Sequence, residues 1–456
     1  MKDKSLTKSI TFNDFKKEIL NDYKTIVISR ETSLLGRKEV LSGKAKFGIF
    51  GDGKELPQIA MAKAFRRGDH RSGYYRDQTF MLALNEISVQ QIFSALYANT
   101  DLKKEPMSGG RQMGSHFMSN YIDEKGDFID STQKYNSSAD ISPTSGQMPR
   151  LLGLAMASKL YRDGSFNSKN FSNNGNEVAW GTIGNASTSE GPFFEVFNAA
   201  GVHQVPMIIS VWDDEYGISV NNSYQTTKSS ISKALHGFKR DKLNKGFEIY
   251  TVDGWDYQSL IQIYEHSSNF CRENHIPILI HVKNLTQPIG HSTSGSHERY
   301  KNKSRLEWEM KYDCNRKMRE WILDNNLSDL SKIEQIEKDC IEFVKSEKKA
   351  AWDNFQKDII VERDSFIKLI KSLVHQYKSK DLAEIANSLL RLKDLGRKDV
   401  MSAARRSLRL ENSSDFFEKI NNWVSDYKKN TQPLYSSHLY NESKNNYKSV
   451  VPVPPE

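Results

Sequence analysis

The chain has 456 residues, with 65 lysines and arginines against 57 aspartates and glutamates, a formal net charge of +8 and a pI near 9.0. That length suits one large domain with an appendage, or two domains; the basic residues are scattered, with no zinc spacing, RNA-binding aromatic motif or arginine-rich arm to make a nucleic-acid surface. Cys271, Cys314 and Cys340 are odd in number and far apart, which argues for a reducing compartment and against a disulfide framework or a zinc site.

The opening MKDKSLTKSITFNDFKKEIL has no apolar core for a secretory signal and carries acids that transit peptides avoid. No apolar run approaches the length of a membrane span, so the expectation is a soluble, cytoplasmic protein with neither a membrane nor a nucleic-acid partner. Residues 1–45 pattern as an N-terminal helical segment. From 46 to 330 the pattern is an α/β domain, in which strand-length apolar runs alternate with helical stretches as in a doubly wound, mostly parallel sheet. Within it, Tyr75-Arg76-Asp77 precedes a helical stretch. A guanidinium there can grip a phosphate in two places and the phenol can add a hydrogen bond, although an exposed or salt-bridged arginine is the commoner outcome. Gly110-Arg111-Gln112-Met113 suits a glycine-kinked loop as well as a direct role. The run Asp140–Pro149 has ordinary turn and cap composition around Ser142 and Thr144, and leads into a helix starting near Pro149.

Residues 178–219 are the most informative. Val178–Ile183 is an apolar strand, and Gly184-Asn185-Ala186-Ser187 is a turn of small residues that lets backbone amides approach an anion. Pro192 stands where a helix starts and tolerates its missing N–H. The helix Phe193–Val202 leads to a second strand, Val205–Val211, stopped by Trp212-Asp213-Asp214. Parallel strands joined by a helix bring both turns to one sheet edge, with a helix N-terminus beside them that favours phosphate. Asn185 or Asp214 alone fits simple turn satisfaction; the pair on one crossover fits a shared ion. Gly246–Val252, Tyr257–Asn274 and Pro277–Val282 form a second strand–helix–strand unit. It is followed by the loop Pro288-Ile289-Gly290-His291-Ser292-Thr293-Ser294-Gly295. His291 and His297 have no acidic or cysteine partners at metal-ligand spacing. Residues 331–456 pattern as a charged helical extension ending in a proline-rich, linker-like tail.

Gly184–Gly191 and Asp213-Asp214-Glu215-Tyr216-Gly217-Ile218-Ser219 resemble the cofactor motif of thiamine diphosphate-dependent 2-oxo-acid dehydrogenases, in the α subunit of their decarboxylating first component. That pattern opens Gly-Asp-Gly or Gly-Glu-Gly, continues Ala-x-Ser-Glu-Gly and ends Asn-Asn-x-Tyr-Ala/Gly-Ile-Ser. The resemblance implies thiamine diphosphate and Mg2+ as cofactors, with Asn185, Asp214 and the Tyr216 backbone carbonyl as metal ligands. Amide and carboxylate are exchanged relative to the family, which leaves the same donor types for an ion that takes about six oxygens. Gly184, Asn185, Ala186 and Ser187 would cradle the diphosphate, and Tyr75 and Arg76 would clamp it. Ser142 and Thr144 would meet the thiazolium and aminopyrimidine. His291 would reach the phosphate and the substrate side as the catalytic histidine. Gly146 replaces a family threonine tied to a monovalent cation in some members. Ser292 and Ser294 match positions that kinases modify in mitochondrial relatives.

By the same resemblance, a 2-oxo acid is decarboxylated and its acyl group passes to a lipoyl-bearing acyltransferase component. The α chain grips the cofactor, and a β subunit supplies the activating glutamate and a further histidine, in an α2β2 assembly. Fused α–β relatives exist, and the proline-rich end resembles their junction. Gly-Arg-Gln-Met, Ser-Pro-x-x-x-Gln-x-Pro and His-Ser-Thr-Ser lean toward branched-chain substrates such as 3-methyl-2-oxobutanoate, with pyruvate as the alternative. Two other readings are a non-catalytic interaction subunit that lost its metal site through Asn185, and a dinucleotide oxidoreductase, disfavoured because no Gly-x-Gly-x-x-Gly follows a strand.

Overall fold

A computed structural model describes residues 11–123, 125–292, 296–410, 413–436, 444 and 446–454. The first ten residues of the expected N-terminal segment, Thr293, Ser294 and Gly295 of the histidine loop, and Pro455 and Glu456 of the tail lie outside the described residues. In chain order the elements begin α1 Phe12–Leu41, α2 Glu55–Ala64, β1 His70–Ser72, α3 Gln78–Ala83, α4 Val89–Leu96, β2 Asn136–Ser137, α5 Met148–Arg162, β3 Ala179–Gly184, α6 Gly191–His203 and β4 Met207–Trp212. They continue β5 Tyr216–Gly217, β6 Val220–Asn221, α7 Ile231–Ala234, β7 Glu248–Asp253, α8 Tyr257–Asn274 and β8 Ile278–Lys283. The helices α9 Lys303–Lys311, α10 Cys314–Asp324, α11 Leu330–Tyr377, α12 Lys380–Leu390, α13 Arg397–Ser407 and α14 Ser414–Ser436 follow.

Six strands form one sheet in the order β2-β1-β3-β4-β8-β7, and each neighbouring pair is parallel. Both faces are covered, which is why β3 and β4 are buried almost along their whole length and mostly apolar on both faces. Ala179, Ile183, Met207, Ile209, Val211 and Leu279 point to one face and pack with Met148 and Leu151 of α5 and Phe193 and Phe197 of α6. Trp180 and Ser210 alternate to the other face, where Tyr264 of α8 stacks on the indole and donates from its hydroxyl to Ser210 Oγ at 2.8 Å. Pro149 and Pro192 occupy the first turns of α5 and α6, where no amide partner is missed. The fold is therefore a doubly wound α/β sheet with a helical C-terminal region.

The chain divides into two compact units: one of residues up to Val89, Met113–Asp123 and Phe128–Ser346, the other of Gln90–Gln112, a short piece ending at Asp127, and everything from Glu347. These limits differ from the 45/46 and 330/331 boundaries expected from the sequence. Helix α1 buries Ile19, Tyr23 and Ile26, and Ser29 Oγ bonds Thr79 Oγ1 at 2.7 Å, so it is part of the first unit's core. Helix α11 crosses residue 331 with neither glycine nor proline to interrupt it. The second unit has its own apolar core of Ile359, Phe366, Ile370, Leu382, Leu389, Val400, Phe416 and Ile420. Among the described residues no helix is long and apolar enough to cross a membrane.

Candidate functional site

From β1 the chain goes to β2 on one side, whereas from β3 it goes to β4 on the other, so the sheet reverses direction between β1 and β3. Loops leaving the C-terminal ends of two such strands diverge and leave a crevice, the usual ligand position in open α/β sheets. Here those loops are Tyr74-Tyr75-Arg76 and Gly184–Ser187, and between them opens a cavity of ≈ 390 Å³. Gly184 pairs with Trp212 in the β3–β4 register, so Asn185 and Asp214 leave the sheet at the same edge. Both line the cavity, together with Tyr75, Arg76, Thr144, Gly184, Ala186, Ser187, Tyr216 and His291. The structure thus gathers residues from five separate stretches of chain. Ser142 is not in the cavity wall; its Oγ is hydrogen-bonded to His116 Nε2 at 2.9 Å, and His116 stacks on Tyr75.

Buried charge sets the positions. Arg71 donates to Asp77 Oδ2 at 2.6 Å and to Asp140 at 3.0 Å, and Trp212 Nε1 donates to Asp77 Oδ1 at 3.1 Å. This network braces the Tyr74–Arg76 loop against β3 and β4, with Tyr74 N donating to Thr182 Oγ1 at 3.2 Å. The Arg76 guanidinium donates to Phe50 O at 2.6 Å and to His291 O at 2.8 Å, two of its five N–H groups, and lines the cavity. Burial, with the Arg76 charge beside it, pulls His291 down to about 4, so its imidazole is neutral at physiological pH. Asp52 anchors the segment before His291 by accepting from Gln287 Nε2 at 2.9 Å and from Ile289 N at 3.0 Å. Burial pushes the Asp52 carboxyl up to about 6.

Several residues of the site escaped the sequence reading. Lys54 is buried with its ammonium donating to Asp214 Oδ2 at 2.9 Å, Gln287 Oε1 at 2.6 Å and Thr286 O at 3.1 Å. Burial raises the Asp214 carboxyl, but Lys54, by charge and hydrogen bond, outweighs it with help from Lys301 and Arg76, and the group lies below its ordinary value. The turn that delivers Lys54 needs Gly53, which has φ +82° and leaves only 2.1 Å between a would-be Cβ and Thr286 O. Gly51-Asp52-Gly53-Lys54 was the available signal: two glycines around an acid, followed by a base, just before a helix. Arg305 donates to Asp214 O at 2.9 Å and to Glu215 at 2.5 Å, holding the turn, while Asp213 pairs with His281 at 2.8 Å. Glu190 accepts from Thr144 Oγ1 at 3.2 Å at the cavity mouth. Arg111, by contrast, donates to Gly109 O at 2.9 Å and Leu434 O at 2.8 Å within the second unit.

A diphosphate fits this cavity. Arg76 offers charge, the small Gly184-Asn185-Ala186 turn leaves room for backbone amides, and the buried Asn185 Nδ2 has no hydrogen-bond partner among the described residues. Of the donors expected for a divalent ion, Asn185, Asp214 and Tyr216 line the same cavity, but the one carboxylate among them is paired with Lys54. Among the described residues no group of three or more His, Cys, Asp and Glu side chains is disposed to hold a metal.

The family model for the dehydrogenase E1 component matches residues 23–359. The α subunit of 2-oxoisovalerate dehydrogenase from Bacillus subtilis (strain 168) is 27% identical over 301 residues, covering 65% of this chain and 79% of the relative. The α subunit of the pyruvate dehydrogenase E1 component from Rickettsia bellii (strain RML369-C) is 24% identical over 199 residues, covering 44% and 55%. That from Rickettsia prowazekii (strain Madrid E) is 23% identical over 337 residues, covering 73% and 91%.

Proposed function

The chain belongs to the dehydrogenase E1 component family as an α subunit of a 2-oxo-acid dehydrogenase, and on that premise we propose that it decarboxylates a branched-chain 2-oxo acid together with a β-type partner. The carrying observation is the cavity at the sheet reversal, where Arg76, the Gly184–Ser187 turn, Asp214 and His291 meet. When bound, thiamine diphosphate supplies the decarboxylation chemistry, and the acyl group then passes to a lipoyl-bearing acyltransferase. Arg76 and the unpartnered Asn185 amide hold the diphosphate, and Tyr75 adds a hydroxyl at the same wall. Neutral His291 can donate one hydrogen bond to an anion while its backbone carbonyl, bonded to Arg76, keeps clamp and loop together. Magnesium, which the family resemblance brings with it, would find its protein oxygens on Asn185, Asp214 and the Tyr216 carbonyl. The glutamate that completes the site comes from the partner, so we take the working form to be an α2β2 assembly. A reducing, cytoplasmic setting is part of this reading, supported by three free, buried cysteines.

3-Methyl-2-oxobutanoate is favoured as substrate by the Gly110–Met113 and Ser142–Pro149 motifs and by the Bacillus relative's name. Pyruvate is the second reading, because the Rickettsia relatives are named for it at similar identity. The test is reduction of an artificial electron acceptor by the purified chain, its β-type partner, thiamine diphosphate and each 2-oxo acid in turn. Turnover is expected only with both chains and faster on the branched substrate. Turnover by this chain alone would end the shared-site reading, and turnover on pyruvate alone would end the substrate assignment.

A further inference from the structure

The acceptor set of Lys54 has a consequence for how the diphosphate is held. Its ammonium is 1% exposed by residue and meets three acceptors, of which only Asp214 is charged. The other oxygen of Asp214 accepts from the Tyr216 backbone N–H at 3.2 Å, so both carboxylate oxygens are engaged. A divalent ion drawing on Asp214 must compete with an ammonium 2.9 Å away. If the carboxylate turned toward the ion, Lys54 would keep only a carbonyl and an amide oxygen, leaving a buried cation without a counter-charge, which is strongly unfavourable. Asn185 contributes no charge to relieve this. The exchange of acid and amide between the two turns is therefore not neutral, because the acid now stands on the turn that faces Lys54.

We infer that Lys54 is a resident counter-cation of this site: it takes the charge of Asp214, so that the diphosphate is held largely by Arg76 and the Asn185 amide, and its binding depends only weakly on a divalent metal. Lys54 acts here through its field and as a positioning residue for Asp214, since its three N–H groups are already used. The inference rests on the thiamine diphosphate reading above and concerns binding, not turnover.

The experiment is equilibrium dialysis of thiamine diphosphate against the full chain with its β-type partner, in magnesium and in excess EDTA. The wild-type affinity should change by less than about threefold between the two conditions. In Lys54→Met, which frees Asp214, binding should fall by more than about tenfold in EDTA and recover with magnesium. Lys54→Arg, which keeps the charge, should stay metal-independent. A direct manganese titration followed by electron paramagnetic resonance, with no cofactor present, should show tighter manganese binding in Lys54→Met than in the wild type. Should Lys54→Met not fold, the wild-type comparison decides alone. Tight but metal-obligate binding by the wild type would overturn the role of Lys54 and leave the cofactor reading intact. No binding under either condition would overturn both.

Discussion

The two units of the chain treat charge in opposite ways. In the sheet unit Lys54, Glu55, Asp69, Arg71, Asp77 and Asp140 are each at most 1% exposed, and each is joined to an opposite charge in an ion pair. In the helical unit the core of Ile370, Leu389, Val400 and Phe416 is apolar, and pairs such as Lys349–Asp353 stand in solvent. Glu105 of that unit is buried too, but its carboxylate is met by the N–H groups of Met107, Ser108 and Gly110 instead of a cation. Buried ion pairs are a poor route to stability because desolvation offsets their attraction. The Lys54–Asp214 pair lines the cavity and the Arg71–Asp77–Asp140 network braces the Tyr74–Arg76 loop beside it, so part of this buried charge serves a charged ligand, whereas the helical unit is built for packing.

The sharpest way to break this comparison is Asp77→Ala. It leaves the Arg71 guanidinium with Asp140 as its one carboxylate partner and removes the acceptor of the Trp212 indole, so a loss of about 3–5 kcal/mol in urea unfolding is expected, with cofactor binding lost alongside it. A stable, cofactor-binding Asp77→Ala protein would show that the network is incidental. Leu389→Ala, in the helical core, should cost about 2–5 kcal/mol by transfer and cavity terms while leaving thiamine diphosphate affinity unchanged. Altered affinity there would break the separation of roles.

Asp52 gives the pH dependence. Its folded value of about 6 lies above the ordinary 3.8, so the stability it contributes is complete below the lower value and lost as pH rises through the higher one. The sheet unit should therefore weaken between about pH 4 and 6, by a share on the order of 3 kcal/mol, and Asp52→Asn should flatten that slope. An identical slope in the variant would assign the effect to another group. Arg76→Ala removes a charge-assisted hydrogen bond worth about 1.5–3 kcal/mol, and calorimetric cofactor affinity should fall roughly 10- to 150-fold. Unchanged affinity would make Arg76 a brace for His291 only. Smallest of all, Lys349→Ala should shift stability by under about 0.5 kcal/mol, since an exposed ion pair is nearly neutral in water. A larger loss would mean that surface charge also matters in the helical unit.

How far the sequence carries depends on the distance over which each interaction acts. The strand–turn–helix–strand unit around Asn185 and Asp214 was legible, because apolar runs, small-residue turns and Pro192 act over a few positions; the strands are Ala179–Gly184 and Met207–Trp212, within two residues of the pattern. Helix Tyr257–Asn274 matches its pattern at both ends for the same reason, with Asp256 capping Ser259 N. The unit boundary was not legible, since charged helical composition is the same on both sides of Ser346.

The sequence by itself determined the sheet, its parallel sense and the two turns that carry Asn185 and Asp214. Only the tertiary structure decided what surrounds them. Lys54 meets Asp214 across 160 residues and Gln287 across 233, and Asp52 meets Gln287 across 235. His116 reaches Ser142 and Tyr75 from the far side of a glycine loop. No periodicity or spacing encodes such pairs: burial makes an unpaired charge costly, and the fold alone determines which distant group is near enough to meet it.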